Sequence, residues 1–166
     1  MYSQPLTRST ARLRQCCAGG LTSLPVHHLQ SVLNAAARSI AGLRRSDHIT
    51  DTLASFHWLK VPERIQFKLA TIDYRSLNGT APHYLAADLR RLSDMPSRRR
   101  LRSSLTDQLD VRQSQCSTVG DRAFAVAGAR LWNSLPHDIV ASDTLSHFRC
   151  GLETFLFRQS YPSILF

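Results

Sequence analysis

VPERIQFKLATIDYRSLNG, residues 61–79, decides the fold class. Pro62 suits a first helical turn, where no intrahelical partner awaits its missing N–H, and Asn78–Gly79 supplies a left-handed stop. Between these ends Ile65, Leu69 and Ile72 recur at helical spacing, and Phe67, Ala70, Tyr74 and Leu77 form a second apolar row beside them. Two adjacent rows mean a helix covered on most of its sides. The spacing predicts a central helix with the other elements packed around it.

Upstream, LQSVLNAAARSIAGL (residues 29–43) carries Leu29, Val32, Leu33, Ala36, Ile40 and Leu43 as one stripe, expected to be buried. Arg44 and Arg45 follow, at the negative pole of that helix. Asp47 or Thr50 is the expected cap of a short helix bearing Ile49, Leu53 and Phe56. Downstream, Pro82 opens a helix that turns Leu85, Leu89 and Leu92 inward. SDMPSRRRLRSS, residues 93–104, reads as an exposed loop, and Leu109 and Val111 suggest one or two short strands within 105–119. A helix over about 121–133 sets Phe124, Ala127 and Leu131 in register, until Asn133–Pro136 ends it. The last helix, about 143–157, has Ser142 or Asp143 as its cap, with Leu145, Phe148, Leu152, Phe155 and Leu156 inward. The expected fold is mainly α: a helical bundle-like domain over 27–157 with a small β element in its second half. Residues 1–26 read as a disordered basic tail and 158–166 as a C-terminal tail.

With 166 residues, 43% of them apolar, the chain is long enough for one core. No run approaches the length of a membrane-spanning helix, so no membrane partner is expected. Of 21 basic residues only Lys60 and Lys68 are lysine, and 12 acids leave a net charge of +9. That surplus points to polyanionic partners, and the planar guanidinium suits phosphate oxygens better than an ammonium does. Cys16, Cys17, Cys116 and Cys150 make no disulfide framework, which favours reduced thiols in a nuclear or cytoplasmic setting. The composition of the N-terminal tail also resembles a mitochondrial presequence, although Leu6 and Leu13 alone form its apolar face.

Little in the chain suggests catalysis. His147 and Cys150 are three apart on the last helix, but two ligands do not hold zinc. There is no nucleophile elbow, no phosphate-cradling glycine loop and no recognisable carboxylate set for a metal pair. The expectation is a non-enzyme without metal or cofactor. Arginine gives the positive case. Arg90, Arg91, Arg98, Arg99, Arg100 and Arg102 fall within thirteen residues, with Asp94 alone against them. A segment of that density can follow a phosphate backbone. It carries no aromatic residue for stacking, so sequence-specific reading is not expected. Arg122 and Arg130 either contact phosphate or pair with Asp121 or another acid.

GDRAFAVAGARLWNSLP, residues 120–136, resembles the C-terminal signature of LINE-type (non-LTR) retrotransposon reverse transcriptases of animals. Other blocks agree in the same order. LQSVLNAAARSIAG resembles LQ-x-VQNAAAR-x-x-x-G, with Leu33 in place of Gln. SFHWLKVPERIQFK resembles SLHWLPV-x-x-RI-x-FK, with Phe56 and Lys60 in place of Leu and Pro. SLNGTAPHYL fits L-x-G-x-AP-x-YL, and LRSS precedes GDRAF. The resemblance spans about residues 27–157. It makes Trp58, Gly79, Pro82, Gly120, Phe124, Leu131, Trp132 and Pro136 signature positions, of which Phe124, Leu131 and Trp132 read as core anchors by their register. It implies the thumb and the region after it, downstream of the palm. The F/Y-A-D-D motif of that palm is absent, so no catalytic residue carries over. What it implies is a non-catalytic segment that grips RNA or DNA nonspecifically. The alternatives are a protein partner, held through exposed apolar helix faces, or a remnant with no independent function.

Overall fold

The computed structural model describes residues 23–95, 107–113 and 120–163. Arg98, Arg99, Arg100 and Arg102 lie outside these residues, as do most of the expected N-terminal tail and Cys16, Cys17 and Cys116. Seven α-helices are described: α1 (Ser23–Ala41), α2 (Thr50–Ser55), α3 (Val61–Leu77), α4 (His83–Ala86), α5 (Phe124–Trp132), α6 (His137–Val140) and α7 (Leu145–Ser160). Single 3₁₀ turns occupy Leu92–Asp94 and Gly120–Arg122. The protein is mainly helical.

The central helix is α3, which packs against both α5 and α7. Ala70 and Tyr74 of α3 meet Ala129, Leu131 and Trp132 of α5 and Phe148, Leu152 and Leu156 of α7 in one buried cluster. Phe148, wholly buried, stacks on Tyr74 at 4.5 Å and on Trp132 at 5.8 Å between ring centroids. Such pairs add to plain area burial because the offset rings match in quadrupole as well as shape. The Tyr74 hydroxyl donates to the Ser142 carbonyl at 2.9 Å, so the ring is buried without orphaning its polar end. A second, smaller cluster joins Ala37, Leu53, Ala54 and Tyr161.

The expected stripe of α1 is not its buried face. Leu29, Val32 and Ile40 are 55%, 68% and 64% exposed, Ala36 is exposed too, and Leu33 and Leu43 are half-buried. The helix is turned so that Gln30, Leu33, Asn34, Ala37 and Arg38 face the body. Polar bonds hold it there. Gln30 accepts the Val61 N–H at 2.9 Å and donates to Asn34 at 2.8 Å, while Arg38 reaches the Asp47 carbonyl at 3.5 Å. The Val61 N–H opens α3 and has no partner in that helix, so Gln30 answers a demand that apolar periodicity does not register.

The expected strands reduce, among the described residues, to one isolated antiparallel bridge between Arg91 and Leu109. The Leu109 backbone is served by a side chain instead of a neighbouring strand: Asn133 accepts its N–H at 2.8 Å and donates to its carbonyl at 2.9 Å. The caps also differ. Ile49 precedes α2 with no side-chain cap, and Asp47 accepts the Arg44 N–H at 2.8 Å instead. Thr144, not Ser142 or Asp143, caps α7 by accepting the His147 N–H at 3.2 Å. At the ends, α1 begins at Ser23 and α7 runs to Ser160 with Tyr161 buried beyond it, so helix extends past 27–157 on both sides.

Two helices end alike with different residues. After α3, Gly79 takes φ +69°, the Thr80 N–H returns to the Arg75 carbonyl and the Gly79 N–H to that of Ser76. After α2, His57 takes φ +53°, the Trp58 N–H returns to Leu53 and the His57 N–H to Ala54. Both are Schellman ends, but His57 fills with a side chain the left-handed position that glycine favours. The turn at His57 aims Trp58 and Leu59 back toward α3.

Candidate nucleic-acid interface

The arginines expected from the sequence do not form one surface among the described residues. Arg90 and Arg122 are exposed, and Arg91 lies 3.7 Å from Asp107. Arg130 pairs with Asp121 at 3.0 Å, the ion pair that was one of its two expected roles. The signature stretch around it is tied inward in the same manner. The Trp132 indole N–H donates to the Asp107 carbonyl at 2.9 Å, and Asn133 holds Leu109. Leu131 and Trp132 are buried, Phe124 is half-buried, and Gly120 stands in the 3₁₀ turn. Pro82 and Pro136 each precede a one-turn helix, as the fixed φ of proline suits.

A different set of bases comes together between α3 and α7. A groove of about 450 Å³ is lined on one side by Arg64, Phe67, Lys68, Thr71 and Ile72 of α3. Arg149 and Glu153 of α7 face them, and His57, Trp58 and Leu59 close one end. Arg64 and Lys68 are four residues apart, so they share a helix face, as do Arg149 and Glu153. Among the described residues none of the three bases forms an ion pair. The Arg149 guanidinium lies over the Phe67 ring at 5.7 Å, a cation–π contact that fixes a long side chain without using its N–H donors.

The closing segment is anchored from the far end of α7. The Tyr161 hydroxyl donates to the Trp58 carbonyl at 2.5 Å. Lys60 donates to the Ser160 carbonyl at 2.8 Å and lies 5.0 Å over the Tyr161 ring. Burial, followed by the nearby Glu63 charge, pushes the Tyr161 phenol up to about 12, so it stays a donor throughout the physiological range. Trp58 is thereby held half-buried at the groove, next to Phe56 at 5.7 Å.

On its α5 side, α3 buries Asp73 completely. Neither carboxylate oxygen has a hydrogen-bond partner among the described residues, and desolvation raises the group from 3.8 to about 8. Near neutral pH it is therefore largely the uncharged acid. Gly128 of α5 lies directly against it, and a Cβ there would overlap the Asp73 carboxyl. Glycine at 128 is thus a condition of α3 and α5 packing around this residue.

No group of three metal-ligating side chains occurs among the described residues, and Cys150 is an exposed thiol. None of the described helices is long and apolar enough to cross a membrane. Arg64, Lys68 and Arg149 are not among the arginines and lysines singled out by the sequence for nucleic-acid binding. The four-residue spacing of Arg64 and Lys68 around Phe67 was a legible signal, whereas the approach of Arg149, some eighty residues on, comes from tertiary packing. No protein-family model, curated protein or solved structure matches the chain.

Proposed function

We propose that this chain is a non-catalytic helical module that binds RNA or DNA through phosphate contacts, without reading sequence. The observation that carries this reading is the convergence of Arg64, Lys68 and Arg149 on one groove with no ion-pair partner among the described residues. The net charge of +9 and the arginine-dense segment 90–102 support it. The ordered blocks that resemble the post-palm region of LINE-type reverse transcriptases agree in kind, since a thumb grips a nucleic acid by its backbone.

The test is fluorescence anisotropy of a labelled oligonucleotide across a salt series. The expected result is a linear fall of log affinity with log salt, with a slope of about −0.7 per phosphate contacted on a single strand. Binding that ignores salt, or no binding at low salt, rejects the reading. Replacing Arg98, Arg99, Arg100 and Arg102 together with Gln should weaken binding and flatten the slope. An unchanged slope removes these four arginines from the interface.

A protein-binding module is the second reading, favoured by the exposed Leu29, Val32 and Ile40 on α1. Size-exclusion chromatography with light scattering discriminates the two. Apolar association survives high salt, whereas phosphate binding does not.

A further inference from the structure

We infer that the groove between α3 and α7 seats one unstacked base of a single-stranded RNA or DNA, with the adjoining phosphates held at its rim by Arg64 and Lys68. The inference rests on the nucleic-acid reading above and deepens it by naming the strand form and the seat of the base. Phosphate contacts alone need only an exposed basic surface. Here the bases surround a concavity of about 450 Å³, within the range of small-molecule sites. Its walls include Trp58, Leu59, Phe67 and Ile72, an apolar lining for a flat aromatic ligand. A base still paired within a duplex is stacked on both faces and cannot enter. A base in a single strand can turn out and stack on an aromatic ring or a guanidinium plane.

Each charged group has a distinct part. Arg149, laid over Phe67, offers the base a planar cation already fixed in place. Arg64 and Lys68 lie one helical turn apart on the facing wall and can hold phosphate oxygens. Glu153 is unsuited to phosphate, but as an acceptor it fits the amino or imino edge of a base. His57 lies at the mouth of the groove beside Trp58.

The experiment compares three probes of equal length at one salt concentration: a base-bearing single strand, the same strand with abasic sugars, and a duplex. The base-bearing strand should bind at least about fivefold more tightly than the abasic one, the lower end of what one stacked base contributes. Its binding should also quench the emission of Trp58 saturably. The double variant Arg64→Gln/Lys68→Gln, on exposed α3 positions, should weaken the base-bearing strand while leaving the thermal melt in place. Equal affinity for base-bearing and abasic strands, with the salt dependence intact, overturns the base seat and leaves the phosphate reading standing. Failure of all three probes to bind at low salt overturns both.

Discussion

The signature stretch 120–136 and the groove between α3 and α7 contain similar residues and use them in opposite ways. Each has a tryptophan and basic side chains. Trp132 is 4% exposed and its N–H is bound to Asp107, and Arg130 is paired with Asp121. Asn133 bonds both backbone groups of Leu109. At the groove, Trp58 is half-buried, and Arg64, Lys68 and Arg149 form no ion pair among the described residues. The difference lies in the hydrogen-bonding capacity that the groove's bases keep free of ion pairs and the signature stretch does not. Residues 120–136 commit Trp132, Asn133 and Arg130 to contacts within the protein.

Asp73 breaks the pattern of satisfied polar groups on the packed side, so it is where the comparison can be disturbed most. Its folded pKa, about 8, lies above its ordinary value of 3.8, so in that interval the folded state keeps a proton that the unfolded state has released. The contribution is fully present below about pH 4 and falls by about 1.4 kcal/mol per pH unit until about pH 8. Urea melts between about pH 5 and about pH 7.5 should therefore show stability declining by roughly 3 kcal/mol. Asp73→Asn, which cannot titrate, should flatten that decline; an identical slope in the variant would place the proton elsewhere.

Trp132→Ala should cost a comparable amount, about 3–5 kcal/mol, because it opens a cavity beside Phe148 and removes the bond to Asp107. Near-UV circular dichroism during melting should show the fixed aromatic signal lost with it. Asn133→Ala should cost less, about 1–3 kcal/mol, by leaving the buried Leu109 backbone unpaired, and denaturant midpoints would measure it. His57→Gly should act in the opposite direction. It relieves a left-handed residue at the end of α2, so a gain of up to about 1 kcal/mol is expected, and no change in thermal midpoint would mean that contacts of the imidazole offset the strain.

Much of the frame was legible because its signals are local. Pro62 and Gly79 bracket α3, and its Phe67, Ala70, Tyr74 and Leu77 row meets α5 and α7 in the main cluster, whereas Ile72 of the other expected row is 38% exposed. What escaped depended on partners distant in the chain. The register of Leu29, Val32 and Ile40 gave no sign that Gln30 would turn toward the Val61 N–H and leave the apolar stripe exposed. Weak alternation around Leu109 suggested strands, whereas an asparagine side chain satisfies that backbone. The groove escaped for the same reason, since Arg149 meets Phe67 only when α7 packs on α3.

The most direct test of this account compares the salt dependence of single-strand RNA binding in Arg64→Gln/Lys68→Gln and in Arg130→Gln. The groove pair should lower the magnitude of the slope by about 1.4, two phosphates at about 0.7 each, while Arg130→Gln should leave it unchanged. A slope that falls with Arg130→Gln and stands firm in the groove variant would contradict it, and would return the function to the signature stretch.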